Sequence, residues 1–394
     1  MMRLLSLIVF LLFTINLYAL QLTFEEAKNM LLEKNNIIKS YKEETEASKY
    51  RFSQAQGHFF PKVDISETFV SSNEPGTAAF SKIAQGKFDM PYFMTKMADP
   101  NYVKNFETKI EIIQPILMQG KIYYGTKQAE SSYKASLSIL DGVKQEMIYN
   151  LVRAYYGKAL AEKGVEVTEK SLERTKRYKA MTEDFYRNGL IVKSDLLVAD
   201  SRLSLNEAFL SDAKKQLELS NSFLQRLLDI DEHIAIVWND LGLNVDKDLD
   251  EYIKLAFENR QDLKAMESYL KVYEFENKKS KMSYWPEIAA FANYKMNDEN
   301  LFGDSGKGFT IGAMVKFNIF SGFSDQNKIS ESKSNYLSFN YKLMDKKNEI
   351  KSEVKDAYYS VIAAQKKVES HKKSLEAAYS ALQITENRFK EGLT

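Results

Sequence analysis

The chain has 394 residues and carries 55 lysines and arginines against 54 aspartates and glutamates, so its formal net charge is +1 at pH 7. This balance gives no electrostatic reason to bind nucleic acid, which is not an expected partner. The sequence contains no cysteine, which excludes disulfides, thiolate catalysis and cysteine-zinc sites. With only 16 glycines and 6 prolines to interrupt them, long uninterrupted elements are expected.

The first element in chain order is a predicted signal peptide, residues 1–19. One positive charge at Arg3 precedes an apolar run from Leu4 to about Ile15, and Ala19 is a small residue at a plausible cleavage point. The run is too short for a helix that spans a bilayer, and no other stretch approaches the roughly 18 apolar residues needed. We therefore predict an exported protein, with a buried N-terminal helix as the alternative.

The rest of the chain is predicted to consist of two tandem repeats, residues 20–241 and 242–394. A shift of 203 positions superposes the identical words AYY and KSLE, and a shift of 225 superposes FFPKV on YWPEI. AYY lies at 154–156 and 357–359, KSLE at 170–173 and 373–376, FFPKV at 59–63 and YWPEI at 284–288. The two shifts differ by 22, so the first repeat is predicted to carry 22 extra residues between its proline junction and its long helix.

Each repeat is predicted to contain a strand hairpin, at residues 61–115 and 286–319. Alternate residues from Phe309 to Ile319 are apolar, and this period of two is typical of a strand with distinct faces. In the first repeat, residues 71–105 contain three prolines and no sustained period. We predict that they form an extended loop that holds the insertion.

Helical periodicity dominates elsewhere. Residues from Ile116 to Asn188 contain no proline, and a returning helix from Ser194 to about Leu228 follows a glycine turn at 186–195. Helices of this length and charge have too little apolar surface for a globular core. We therefore expect them to lie along other helices as coiled coils.

The second repeat is predicted to stop at its own tip turn. Gly392 coincides with Gly189 under the 203-residue shift, and the printed sequence ends at Thr394. A returning helix like Lys193 to about Leu241 is therefore expected to be missing, through a fragment, a frameshift or an incomplete gene model.

The predicted strands have the length of membrane-spanning strands, since about 9 to 11 residues cross a bilayer when tilted. Four strands cannot close a barrel, and an open edge in hydrocarbon leaves backbone groups unpaired, so other chains must pair with the edges. Phe60 before Pro61 and Trp285 before Pro286 suit an aromatic belt at the membrane surface, with ordinary core packing as the alternative. Each proline ends the preceding helix.

These parts in this order, with the phrase YRNGLIVKSDLLVAD at 186–200, resemble the outer-membrane efflux protein family, the TolC-like exit ducts of tripartite pumps and type I secretion systems. The resemblance covers essentially the whole mature chain. It implies a mainly α protein with a membrane β-barrel portion, in which a homotrimer closes a twelve-stranded barrel. It also implies a passive duct in the outer membrane that extends into the periplasm, surrounded by outer-membrane lipid and coupled through a periplasmic adaptor to an inner-membrane transporter.

The resemblance assigns the two tip turns to the periplasmic end, where the family meets its adaptor. The tip residues are Gly189, Leu190, Ser194, Asp195, Gly392 and Leu393. In this family an aspartate at the position of Asp195 often helps hold the duct shut, and Phe389 stands at a partner position without a tyrosine hydroxyl. The structural alternatives are a positive φ at Gly189 and capping of the returning helix by Ser194 and Asp195.

The sequence contains no pattern that predicts an enzyme or a cofactor. Its three histidines, His58, His233 and His371, are scattered without metal-ligand spacing, and no nucleophile motif or phosphate loop is present. The tyrosine pairs at 155–156 and 358–359 are predicted to pack at helix interfaces. The alternative function is a periplasmic coiled-coil scaffold without channel activity, which would not need the strand hairpins.

Overall fold

The computed structural model describes residues 20–87, 89–238 and 245–390. The helices are α1 (Phe24–Lys34), α2 (Asn36–Gly57), α3 (Pro75–Ala84), α4 (Met90–Thr95), α5 (Lys121–Arg187), α6 (Lys193–Leu228), α7 (Leu249–Asn259), α8 (Gln261–Lys281) and α9 (Ser324–Lys390). The strands are β1 (Leu20–Leu22), β2 (Lys62–Ser72), β3 (Val103–Met118), β4 (Ile234–Ile236), β5 (Glu287–Asp298) and β6 (Gly306–Lys316). The predicted signal peptide, the repeat boundary at 241 and 242, and the tip residues Gly392 and Leu393 lie outside the described residues.

The element bounds follow the two sequence shifts. Helices α5 and α9 each contain 67 residues, and both their starts and their ends are separated by the 203-residue shift. Strands β2 and β5 start 225 residues apart, which is the second shift. The prediction of two structural repeats in a mainly helical protein is therefore confirmed.

The chain divides into two compact units, each built from separate parts of the sequence. The first comprises Met1–Glu43 and Ile139–Asp246, and the second comprises Glu44–Ser138 and Lys247–Thr394. Neither unit coincides with one sequence repeat, because both repeats contribute to the sheet of the second unit.

The first unit has a core where α1 and α6 pack beside a short parallel pair, β1 and β4. Thr23 and Glu26 form a capping box that starts α1. Toward the helical tip, α5 and α6 are joined by polar contacts, since Ser171 Oγ lies 3.0 Å from Asn206 Oδ1. The apolar core of this unit thus lies at the C-terminal end of α6, away from the turn between α5 and α6.

The second unit contains a four-stranded antiparallel sheet in the order β2-β3-β5-β6. In the same unit α8 packs on α9 through the buried side chains Leu263, Leu343 and Ile350. Tyr273 and Phe339 stack with ring centroids 4.8 Å apart and extend this contact. The sheet joins the two predicted hairpins into one surface.

The segment predicted to be an extended loop, residues 71–105, instead contains α3 and α4. Pro75 and Pro91 stand in the first turn of these helices, where the missing N–H is not needed and the fixed φ favours helix. The prediction was wrong because it treated each proline as an interruption. In the second repeat, α9 begins only at Ser324, after Gly322 and Phe323 with φ of 64° each.

Candidate functional site

One face of the four-stranded sheet is polar. Cross-strand neighbours share a face, and the register aligns Asp64, Glu111, Asn293 and Thr310 in a single rung. The neighbouring rung on this face consists of Ser66, Lys109, Lys295 and Gly308. In these two rungs all four strands therefore place polar residues or glycine on the same side of the sheet.

The charges of the polar face are paired with one another. Lys109 Nζ lies 2.6 Å from Glu111 Oε1, and Lys295 Nζ lies 3.2 Å from Glu107 Oε2. Such pairs in half-exposed positions contribute little to stability, typically about 0 to 1 kcal/mol. They make this face hydrophilic and nearly neutral, which suits a surface that borders water.

The opposite face is apolar and uncovered. One rung contains Ile65, Ile110, Tyr294 and Phe309, and the next contains Val63, Ile112, Ala292 and Ile311. Ile65 is 72% exposed and Ile311 is 75% exposed. Large apolar side chains in adjacent rungs form a continuous patch, and such patches on a folded chain mark contact with lipid or another apolar surface.

The apolar face is bounded at both ends of the strands. Toward the loop that contains α3, a rung of Glu67, Thr108, Met296 and Lys307 interrupts it with polar groups, and the Thr108 hydroxyl donates a hydrogen bond to Glu67. At the other end, exposed aromatic residues stand next to Pro61 and Pro286, where the chain changes from helix to strand. They are Phe59, Phe60, Tyr284 and Trp285. A bounded apolar band with an aromatic border is typical of a membrane-spanning sheet.

Both edges of the sheet are open. Within the described residues, β2 pairs only with β3 and β6 pairs only with β5. In hydrocarbon each unpaired backbone group costs several kcal/mol. The sheet of one chain thus has two edges whose backbone groups need partners.

The helical tip between α5 and α6 is a tight turn centred on Gly189. Gly189 has a φ of 71°, its N–H donates to the Tyr186 carbonyl at 2.9 Å, and the Leu190 N–H donates to the Phe185 carbonyl at 2.9 Å. These two bonds form a Schellman motif, which satisfies the last carbonyls of α5. The motif needs a left-handed residue, so glycine is required here for a conformational reason.

The tip presents exposed apolar and acidic groups. Leu190 is 70% exposed and Val192 is 63% exposed. Asp195 lies in the first turn of α6, whose N-cap is Val192 without a side-chain hydrogen bond. Neither Ser194 nor Asp195 forms the predicted side-chain cap, because the cap position is Val192, but Asp195 does lie at the positive end of the helix.

The second predicted tip follows the end of α9. Phe389 lies in the last turn of the helix, and its side chain falls outside the described part of the molecule.

The tyrosine pair at 155–156 packs in a core, as predicted. Tyr155 is fully buried, and its hydroxyl oxygen lies 2.9 Å from the Leu22 carbonyl oxygen and 2.7 Å from that of Val237. Burial raises the pKa of Tyr155, which keeps the hydroxyl protonated. This residue holds α5 against the β1-β4 pair.

Two features are absent from residues 20–87, 89–238 and 245–390. No helix there is both long and apolar enough to cross a membrane. The same residues contain no group of three or more histidine or acidic side chains arranged to hold a metal ion.

The sequence reasoning missed the amides that fix α3 to the sheet. Gln85 is 1% exposed and its Nε2 donates to Asn105 Oδ1 at 2.9 Å, and Asn105 Nδ2 donates to Asn297 Oδ1 at 2.8 Å. Asn105 and Asn297 are separated by 192 residues. The only sequence signal for them was their position on the polar face, at the last rungs of their strands.

Residues 28–228 and 252–394 match the sequence profile of the family described as "Outer membrane efflux protein". The chain belongs to this family, which is a family of channels and not of enzymes. It is a TolC-like component of the bacterial outer membrane that extends into the periplasm, and its general role is efflux.

Solved structures share the fold at low sequence identity. The outer membrane channel CmeC of Campylobacter jejuni is 16% identical with a TM-score of 0.73, over 94% of this chain and 77% of that one. The outer membrane protein VceC of Vibrio cholerae is 15% identical with a TM-score of 0.73, over 94% and 86%. CusC, whose structures concern its folding and transmembrane channel formation, is 13% identical with a TM-score of 0.77. The match covers 94% of this chain and 83% of that one. No curated protein matches the chain by sequence.

Proposed function

We propose that three copies of the chain close one twelve-stranded barrel in the outer membrane and form a passive exit duct. The observation that carries this proposal is the sheet with one polar face, one bounded apolar face and two open edges. Pairing β2 of one copy with β6 of the next removes every edge when the ring closes. The apolar face then meets lipid, and the polar face lines a water-filled lumen.

The helices supply the periplasmic part of the duct. Near the tip turn the contacts between α5 and α6 include ionic ones, such as Lys179 Nζ at 2.7 Å from Asp200 Oδ1. Much of their apolar surface, including Leu160 at 74% exposure and Phe209 at 50%, stays uncovered in one chain. Packing against the helices of neighbouring copies would cover it in a coiled-coil wall.

The tip between α5 and α6 would meet a periplasmic adaptor, which connects the duct to an inner-membrane transporter. Exposed Leu190 and Val192 offer an apolar contact on a rigid turn, and a contact of this kind suits a docking tip. Asp195 would stand at the same level in each copy. A ring of such carboxylates would bias the duct toward cations and offer an ionic partner for keeping it closed. The predicted roles of Gly392, Leu393 and Phe389 in the second tip remain proposals of the same kind.

Disulfide cross-linking of the open edges tests the barrel. Because the chain has no cysteine, Ser66→Cys on β2 can be combined in turn with Gly308→Cys, Thr310→Cys or Gly312→Cys on β6. At least one pair is expected to give covalent trimers in outer-membrane fractions, and single-cysteine variants serve as controls. A periplasmic scaffold would instead leave the membrane under alkaline extraction and give no edge-to-edge cross-link with any pair.

A further inference from the structure

The helix α3 is fixed on the polar face of the sheet, at the end away from α5 and α9. Asn105 lies two residues before Glu107 on β3, and Asn297 lies two residues after Lys295 on β5, so both amides belong to the polar face. Gln85, at the C-terminal end of α3, is hydrogen-bonded to Asn105. We call Gln85, Asn105 and Asn297 the amide clasp.

A close approach of two backbones confirms on which side α3 lies. Gly306 shares a rung with Asn297, so a side chain there would project from the polar face. A Cβ atom built on Gly306 would lie 1.7 Å from the carbonyl oxygen of Ala84. The end of α3 therefore rests directly on the polar face, and glycine is required because no side chain fits beneath it.

Ion pairs hold the same end of α3. Lys82 Nζ lies 2.9 Å from Glu299 Oε1, and Lys87 Nζ lies 3.2 Å from Glu299 Oε2. Ala78 and Ala79 are buried, whereas Phe80 is 73% exposed and Ile83 is 46% exposed. The helix thus uses its small side chains for packing and presents large apolar ones to open space.

We propose that α3 folds into the external mouth of the duct and sets the size of the solutes that enter it from outside, with Phe80 and Ile83 at the constriction. The proposal rests on the proposed function, because the polar face borders a lumen only when the barrel is closed. Three copies of α3, one from each chain, would surround the axis. An apolar ring at a narrow point excludes large hydrophilic solutes by size and by unfavourable hydration. The amide clasp and Glu299 are positioning groups, since they fix α3 and do not themselves narrow the mouth.

Thiol labelling on intact cells reports on the external mouth independently of the periplasmic tip. Thr310→Cys places one thiol on the polar face, and its neighbour Ile311→Cys places one on the apolar face as a matched control. Each is exposed to a small charged maleimide and to a maleimide that carries a bulky polyethylene glycol chain. No native thiol of the chain reacts with either maleimide, because the chain has no cysteine.

When Thr310→Cys is the only substitution, which we call the parent, the small maleimide is expected to label it. The bulky maleimide is expected to label it slowly. Adding Gln85→Ala removes the hydrogen bonds that Gln85 Nε2 donates to Asn105 Oδ1 and to the Lys104 carbonyl oxygen, so the bulky reagent should react about tenfold faster. The small reagent should react at an unchanged rate, and labelling of Ile311→Cys should not depend on the clasp. Gly306→Ala is a second, independent way to displace α3 if Gln85→Ala assembles poorly.

The outcomes separate the two proposals. If both reagents label Thr310→Cys at similar rates in the parent, or if neither Gln85→Ala nor Gly306→Ala changes the bulky rate, α3 does not narrow the mouth, while the duct stands. If the small reagent fails to reach Thr310→Cys on intact cells in the parent, with Gln85→Ala and with Gly306→Ala, there is no open lumen behind α3. Both the duct and the constriction are then wrong.

Discussion

Arg260 and Glu353 form an ion pair that joins the start of α8 to the middle of α9. Arg260 also pairs with Asp262, at 2.8 Å between Nη2 and Oδ2, and Lys346 Nζ lies 3.5 Å from the same carboxylate. Leu263, 1% exposed, is buried beside this group. The charged group therefore fixes the register of two helices beside their small apolar core.

Replacement of Arg260 by alanine should lower the stability of the α8-α9 contact. The change leaves Asp262 and Glu353 without their main partner, and charge-assisted hydrogen bonds of this kind contribute about 1 to 3 kcal/mol. Arg177→Ala is the matched control, because Arg177 pairs with Glu173 on an exposed helix surface, where a change of about 0.3 to 0.5 kcal/mol is expected. Unfolding temperatures from circular dichroism compare the two. Equal shifts would mean that the Arg260 group is only a surface ion pair.

The same group predicts acid sensitivity. Burial alone would raise the pKa of Asp262, but the hydrogen bonds and charge of Arg260 outweigh it and hold the pKa below its usual range. A lowered folded-state pKa stabilises the protein above the unfolded-state value, about 3.9 for aspartate, and this contribution is lost as the pH falls through the folded-state pKa. The unfolding temperature of the parent should therefore fall more steeply below about pH 4 than that of Asp262→Asn. Asp212→Asn, at an exposed position on α6, is the control and should follow the parent.

A buried tyrosine and an exposed one, taken from the two repeats, test what the hydroxyl of Tyr155 contributes. Tyr155→Phe removes the hydroxyl that contacts the carbonyl groups of Leu22 and Val237, and should cost about 1 kcal/mol. Tyr359 is 61% exposed, so Tyr359→Phe should change stability by less than about 0.5 kcal/mol. Thermal unfolding of both variants measures the difference. A neutral Tyr155→Phe would show that the hydroxyl does not support the β1-β4 pair.

The repeats could be predicted from the sequence because matching residues in long elements keep a constant offset along the chain. Comparing the sequence with itself detects that offset. Two shifts, 203 and 225, reappear in the starts of α9 and β5, and the period of two at Phe309 assigned the apolar face of β6. Periodicity tells which way a side chain points and not which strand lies beside it. The pairing of β3 with β5 could therefore not be read from the sequence.

Predictions from a few neighbouring residues were less reliable where a residue type is compatible with two kinds of local structure. Proline can interrupt an element or begin a helix, as Pro75 begins α3, so a proline count alone suggested a loop. Ser194 and Asp195 are both good N-cap residues, but the N-cap is Val192. The contact between Gln85 and Asn105 could not be predicted, because it depends on how a surface helix rests on the sheet.

Gly189→Ala should loosen the tip between α5 and α6. A side chain at a φ of 71° costs about 1 to 2 kcal/mol, although nothing lies near enough to clash. Gly164 lies inside α5 with open space around its Cα, so Gly164→Ala should instead stabilise the helix by about 0.5 to 1 kcal/mol. Hydrogen exchange of the Leu190 amide, which is bonded to the Phe185 carbonyl, should become faster only in Gly189→Ala. An unchanged exchange rate there would show that the turn does not depend on a left-handed glycine.

Neighbouring residues on β6 test which face meets lipid. Ile311 lies on the apolar face and Thr310 on the polar face, and the two differ by one position in the same strand. A lysine on the lipid face of a barrel costs about 2 to 4 kcal/mol at mid-membrane, and in the proposed trimer this cost arises in every copy. Ile311→Lys should therefore deplete the assembled protein in outer-membrane fractions, as measured by heat-modifiable mobility on gels. Thr310→Lys places the same charge in water beside Asn293, on the face that also carries Glu111, so it should assemble like the parent. Equal assembly of both variants, or loss with Thr310→Lys alone, would reverse the assignment of the faces and with it the proposed lumen.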